Sequence, residues 1–205
     1  RVIGYDGNGV TSAQGDMTLL AASNMSSGLQ FADFGASNEY APSNLKTAID
    51  ALAEKLTTEE NAAVKKRTLT SGNYNEENTD CVAGAQVDNA VFWPLSSKEA
   101  IAVNHDLRMA DPEHPSWASS CWWLRSPGYS NHDAATVRGD GSVVYYGNAI
   151  NSWWSVRPAF NLNLNSVLFT SAAVGGKPDG GLTEVPEYTG NEWKLTLKDS
   201  NRNFA

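Results

Sequence analysis

Positive charge is scarce in this chain. Of 205 residues, 15 are Lys or Arg against 23 Asp or Glu, for a formal net charge of −8. Binding to nucleic acid without sequence preference needs clustered cations that neutralise phosphates, so no nucleic-acid partner is expected. The same acidity disfavours anionic lipid surfaces. The nearest basic cluster, Lys65-Lys66-Arg67, closes a helical pattern, where cations complement the helix dipole. No apolar run approaches the ~18 residues of a helical membrane span, so direct membrane insertion is not expected either. Cysteine is limited to Cys81 and Cys121. With no CxxC pair, zinc and redox chemistry are not expected. The two could close one disulfide across a ~40-residue loop or be two buried thiols. The chain opens at Arg1-Val-Ile-Gly, already strand-like and without a leader, and ends at Asn203-Phe-Ala without a turn or tail. That is the expectation for a piece of a longer surface protein.

Catalytic signatures are also missing. His105, His114 and His132 form neither HExxH nor a close pair, so no metal is expected. Ser43-Asn-Leu-Lys46 matches SxxK, but no SDN or KTG element accompanies it, and a Ser at a helix start serves as an N-cap. Gly128-Tyr-Ser130 lacks the second glycine of a nucleophile elbow. Asp6 and Asn8 begin like a calcium loop that does not continue, so Asp6-Gly-Asn-Gly9 is a plain turn. Neither a Walker A loop nor GxGxxG is present. Glu59-Glu60 and Glu76-Glu77 are sequence neighbours that would not face each other for acid–base work. No catalytic residue and no cofactor are expected.

What is present is a globular composition, with 41% hydrophobic and 19% charged residues, enough for one domain with a real core. Arg1–Tyr5 and Met17–Ala22 read as strands. Leu45, Ala48, Ile49, Leu52, Ala53 and Leu56 recur at helical spacing behind Ser43. Thr57-x-x-Glu60 is a capping box opening a helix to about Arg67, and Ser96-x-x-Glu99 opens another to about Val103. Residues 71–80 and 106–119 read as loops. Cys121–Ser126 reads as a buried strand stopped by Pro127-Gly128. Ala134–Arg138 and Ser142–Tyr146 flank the hairpin signal Gly139-Asp-Gly141. Trp153–Leu162 predicts one further strand, with Pro158 confined to an edge or bulge. Asn191–Lys198 predicts a last strand, half-buried by its alternation. Strands, then helices, then antiparallel strands define an α+β fold with two or three short helices and long loops. Residues 1–205 are taken as one domain.

Between Tyr129 and Trp154 lies a mixture suited to recognition. Tyr129, Asn131, His132, Asp133, Arg138, Tyr145, Tyr146, Asn148, Asn151, Trp153 and Trp154 are the candidate ligand-binding residues. Tyr and Trp supply stiff amphipathic contact area, and Ser and Asn supply adaptable hydrogen bonds. The candidate binding region is 121–162.

Trp123-Leu-Arg-Ser-Pro-Gly128, Gly139-Asp-Gly141 and Val156-Arg-Pro-Ala-Phe160, with Arg1–Asp6 and Leu95–Ala100, give a further indication. In these the chain resembles a family of secreted bacterial domains whose tail reads WLRSPG, a variable stretch, then VRPAF. That family in turn resembles the C-type-lectin fold of variable proteins diversified by retroelements. The resemblance implies that Trp123–Arg125 and Val156–Pro158 are scaffold; the framework pieces Trp123–Pro127 and Val156–Phe160 are expected to lie in one sheet. Ligand-facing side chains would lie between them. It also implies variation at AAC codons, which cannot yield Lys, Glu, Gln, Met or Trp. Those five types make 32 of the 205 residues and are absent from all 24 positions of 129–152. Calcium-lectin motifs (EPN, QPD, WND) are missing, so calcium and sugar specificity do not carry over. The expected function is a ligand-binding display domain of a secreted or surface protein, its partner a protein or glycan on another cell. A formylglycine-generating type of enzyme and a structural module of a wall or pilus protein are the alternatives.

Overall fold

A computed structural model describes residues 1–111, 120–172 and 193–197. The strands are β1 (Val2–Tyr5), β2 (Asn8–Gly9), β3 (Asp16–Leu20), β4 (Ser26–Gln30), β5 (Val64–Lys65), β6 (Arg67–Leu69), β7 (Val87–Ala90) and β8 (Trp93–Pro94). There follow β9 (Trp122–Pro127), β10 (Asp133–Val137), β11 (Val143–Ala149), β12 (Trp153–Val156), β13 (Pro158–Asn163), β14 (Val167–Ala172) and β15 (Trp193–Leu197). The helices are α1 (Asn44–Ala53), α2 (Thr58–Ala63), α3 (Ser97–Ala102) and α4 (His105–Arg108). The fold is α+β, with mostly antiparallel sheets and short helices.

Two sheets carry the molecule. One runs β2-β1-β3-β13-β5, with β8 also paired to β13. Its centre joins early and late chain, Asn161 of β13 lying opposite Thr18 of β3. The other runs β11-β10-β9-β12-β4, and its β12–β9 step is parallel at Ser155 and Trp122. Fully buried Trp93, Trp122, Trp123, Leu20, Leu45, Ile49, Leu124 and Val156 form one continuous core from both sheets and α1.

Local signals in the sequence set several elements. Ser43 caps α1 by accepting from the Lys46 amide at 3.0 Å. Both capping boxes form, at Thr57–Glu60 and at Ser96–Glu99. Asp6 and Gly7, both at positive φ, make the tight turn from β1 to β2. Gly139-Asp-Gly141 closes the β10–β11 hairpin, where Arg138 N–H donates to Ser142 O at 2.9 Å. The strand expected over 191–198 occurs as β15, paired with β14; its expected half-burial lies outside the described side chains. Residues 112–119 of the expected 106–119 loop, and His114 with them, lie outside the described residues. Asp106 falls within α4.

Other expectations are corrected. The first helix ends at Ala53, before Leu56, because Thr57 must be extended (φ −65, ψ 168) to cap α2. The second helix stops at Ala63 and does not reach Arg67. Val64 and Lys65 leave it to pair with Leu162 and Asn161 of β13, a long-range pairing that overrides local helical spacing. The basic triplet therefore ends no helix: Lys65 pairs with buried Asp16, and Arg67 with buried Glu99 while lying 4.9 Å from the Trp93 ring centre. Residues 71–80 include a 3-10 turn at Glu76–Asn78. Cys81 and Cys121 form no disulfide, which leaves the thiol alternative; Cys121 is buried and Cys81 half-buried.

The expected strand 153–162 is two strands in two sheets. Val156 shares a sheet with β9, whereas Pro158–Phe160 belong to the other sheet. The two framework pieces thus share one sheet only as far as Val156. The break is Arg157, wholly buried, whose guanidinium donates to Ala21 O, Leu107 O and Arg108 O at 2.8, 2.8 and 2.5 Å. It also lies 5.2 Å from the Trp122 ring centre. Satisfying those carbonyls turns the chain from one sheet into the other. Pro158 is buried, at neither an edge nor a bulge: it is the first residue of β13, opposite Pro94, a position where a missing N–H is tolerated.

Candidate ligand-binding surface

The surface begins with two irregularities in one ladder. Between Ala134 and Thr136 the strand β10 has one residue, Ala135. On one side β11 has three in the same interval, Tyr145-Tyr146-Gly147. On the other side β9 has three, Leu124-Arg125-Ser126. Each is a bulge, and bulges re-aim side chains away from strict alternation. In β11, an edge strand, the effect is to bring consecutive tyrosines together. The Tyr145 and Tyr146 rings stand edge-to-face with centres 5.7 Å apart, and Tyr146 is 50% exposed.

In β9 the bulge frees groups for another task. Arg125 N–H donates to Leu95 O at 2.9 Å. Its buried guanidinium grips Glu99 through both oxygens (2.5 and 2.9 Å) and reaches Asp80 at 2.8 Å. Ser126 Oγ donates to Thr79 O at 3.1 Å, and Ser97 Oγ does the same. Asp80 also accepts from Ser96 Oγ at 2.8 Å. Burial alone would push the Glu99 carboxyl up, but the charge and hydrogen bonds of Arg125, then Arg67, hold it down at about 2. This network fixes the end of the 71–80 segment and lays its 3-10 turn against β11.

That placement brings in Tyr74, which the sequence did not single out. Its ring meets Tyr129 edge-to-face at 5.8 Å. Desolvation, then the Glu76 carboxylate, then Tyr145 and Tyr129, push the Tyr74 phenol up. Four tyrosines from three separate segments thus form one cluster. Two glycines permit its tight seat. A Cβ on Gly128 would lie 2.6 Å from Tyr146 O and 2.7 Å from Asp133 Cβ. Gly147 sits at φ +96, and a Cβ there would lie 3.0 Å from Ala134 O, Asp133 Cβ and Gly128 Cα alike. Tyr129 N–H then donates to Tyr146 O at 2.8 Å, which ties the exposed Tyr129 to the bulge.

The loop between β9 and β10 is held rigidly. Ser130 Oγ donates to Asp133 Oδ2 at 2.7 Å, and Asp133 N–H donates to Ser130 O. Buried Asn38 donates its side-chain amide to Ser130 O and Asp133 O. His132 Nδ1 lies 3.1 Å from Ala36 O. Asn131 and His132 stay exposed. Beside them a cleft of about 320 Å³ is lined by Phe34, His132, Asp133, Ile150 and Asn151. Phe34, also missed by the sequence, is 88% exposed.

The eleven expected residues therefore divide. Tyr129, Tyr145 and Tyr146 meet in the tyrosine cluster. His132, Asp133 and Asn151 meet at the Phe34 cleft, with Asn131 on the adjoining loop. Trp153, 62% exposed, extends that side, its strand pairing it with Gln30. Trp154 is half-buried and packs against the core. Strands β10 and β9 separate both tryptophans from the tyrosines of β11. Asn148 is turned to the sheet, donating to Thr136 Oγ1 at 2.7 Å. Arg138 sits at the opposite end of the hairpin, where its charge acts on Asp140 and Cys121. Among the described residues no group of three or more His, Cys, Asp or Glu could hold a metal ion, and no helix is long and apolar enough to cross a membrane.

The fold and surface define a two-sheet α+β domain with an aromatic, loop-built face. The chain belongs to the family described as Domain of unknown function (DUF6273), which matches residues 15–164. That span holds both sheets' centres and every residue of the surface. No curated protein and no solved structure matches the chain.

Proposed function

We propose that this is a ligand-binding display domain of a secreted or cell-surface protein, with a C-type-lectin-like fold and a partner on another cell. One observation carries the proposal. Tyr74, Tyr129, Tyr145 and Tyr146 are gathered at the surface by a bulge, two close-packed glycines and a buried ion network, yet their phenols form no hydrogen bond among the described residues. Large amphipathic side chains held stiffly and left without partners are what a binding surface needs. The pairing of early β3 with late β13 is compatible with the lectin-like expectation. The absence of Lys, Glu, Gln, Met and Trp from 129–152 supports retroelement variation of that window. Against an enzyme of the formylglycine-generating type, burial pushes the Cys121 thiol up, opposite to an activated nucleophile.

The test is a screen of the domain against a glycan array and a displayed peptide library, beside Tyr129→Ala/Tyr146→Ala. The expected result is binding that the double variant loses, with folding stability within about 1 kcal/mol of the parent, as for other exposed sites. Identical binding profiles for the two proteins would overturn the proposal.

A further inference from the structure

The tyrosine cluster has an electrostatic setting as well as a shape. Glu76 and Glu77 are exposed in the 3-10 turn directly after Tyr74. Neither takes part in an ion pair among the described residues. Glu76 sits at φ +47, a left-handed conformation that a non-glycine residue adopts at a cost, so its carboxylate is presented where Gly or Asn would be easier to accommodate. The whole chain, at −8, adds negative potential. Anionic ligands are therefore disfavoured at this face. A neutral sugar could donate hydroxyls to the two carboxylates but would gain no charge–charge attraction from them.

The rings stand at steep angles within each pair, 83° between Tyr74 and Tyr129 and 80° between Tyr145 and Tyr146, so each pair presents π-faces in two directions. A ring face attracts a cation, and several faces with a nearby carboxylate select one too bulky and too weakly hydrated to prefer water. Lys and Arg ligands could pair with Glu76 and the phenol oxygens, but a Lys ammonium is strongly hydrated, and both side chains give up water bonds at every N–H that the ring faces cover. A fully methylated ammonium has no such bonds to lose.

From this geometry we infer that the Tyr74–Tyr129–Tyr145–Tyr146 cluster, with Glu76 beside it, binds a quaternary trimethylammonium group of the choline type. This deepens the display proposal and rests on it. The site takes the charged headgroup, and the Phe34 cleft is left to whatever carries it. No covalent step is involved.

The test is NMR of tyrosine-labelled protein titrated with choline chloride, and separately with 3,3-dimethylbutan-1-ol, the uncharged carbon isostere. Choline is expected to shift the rings of the four tyrosines and to bind at least about tenfold more tightly than the isostere, because only the cation gains from ring faces and carboxylate. Glu76→Gln should weaken choline about threefold at low salt and less at high salt. Tyr74→Ala and Tyr129→Ala should each weaken it about three- to fivefold. Phosphocholine and an Nε-trimethyl-lysine peptide form two further arms. Binding of either supports the site, and the tighter one identifies the carrier. Equal binding of choline and its isostere, or no shift of these rings with choline, would overturn the inference. If ring shifts are absent while array binding remains tyrosine-dependent, the headgroup assignment fails and the display proposal stands.

Discussion

At the scale of single residues, burial separates framework from surface within a few positions. Gly128 is buried between Tyr146 O and Asp133, with no room for a methyl group, while Tyr129, next in the chain, is 79% exposed. Gly128→Ala should therefore cost about 2 kcal/mol or more, as overpacking does, and should also displace Tyr129. Chemical denaturation measures the first effect, and the Tyr74–Tyr129 ring contacts by NMR report the second. Glu99 is the complementary case, a buried carboxylate serving a helix cap and two arginines at once. Glu99→Gln leaves Arg125 with Asp80 as its one carboxylate, beside the Pro94 carbonyl, and should cost about 3 kcal/mol in a urea titration. Because the Glu99 carboxyl is depressed to about 2 from an ordinary 4.5, its contribution is fully present above pH 4.5. It is lost as pH falls from there through about 2, since the unfolded chain then binds the proton more readily. Denaturation midpoints across that range should fall more steeply for the parent than for Glu99→Gln.

At the scale of elements, local chemistry was legible and long-range competition was not. Both capping boxes, the Ser43 cap and the Gly139-Asp-Gly141 turn formed as their residues dictate, because each is settled within four or five positions. The end of α2 was illegible because Val64 and Lys65 answer to β13, about a hundred residues away. The division of 153–162 was illegible for the same reason: the carbonyls that hold Arg157 come from Ala21, Leu107 and Arg108. Arg157→Met should strand those carbonyls in the core and lower stability by about 3 kcal/mol, read from thermal or urea unfolding. The same variant should leave the tyrosine rings in place if the fold survives, since β11 lies at the far edge of the other sheet.

At the scale of the whole molecule, the candidate surface was half legible. Tyr129, Tyr145, Tyr146 and His132 stood out by composition in one stretch. Tyr74 and Phe34 did not, because their neighbours are chosen by the fold. Tyr74 reaches the cluster through Asp80 and Arg125, 45 residues apart in sequence. Arg138 and Asn148 looked equivalent to the tyrosines in sequence, yet position along the hairpin and the Thr136 hydroxyl remove them. The bulges flanking Ala135 unite these facts. One turns framework residues inward to hold the 71–80 segment, and the other turns two tyrosines toward it.

The central claim is that a fixed frame displays a tolerant aromatic face. A saturation scan of residues 121–160 scored by protease resistance tests it most directly, since resistance reports the folded population. Trp122–Pro127, Ala134–Val137 and Val156–Ala159 should reject nearly all substitutions, while Tyr129, Asn131, His132, Tyr146 and Trp153 should accept most polar ones. If Tyr129 and Tyr146 prove as intolerant as Trp123, they are core residues and the surface described above does not exist.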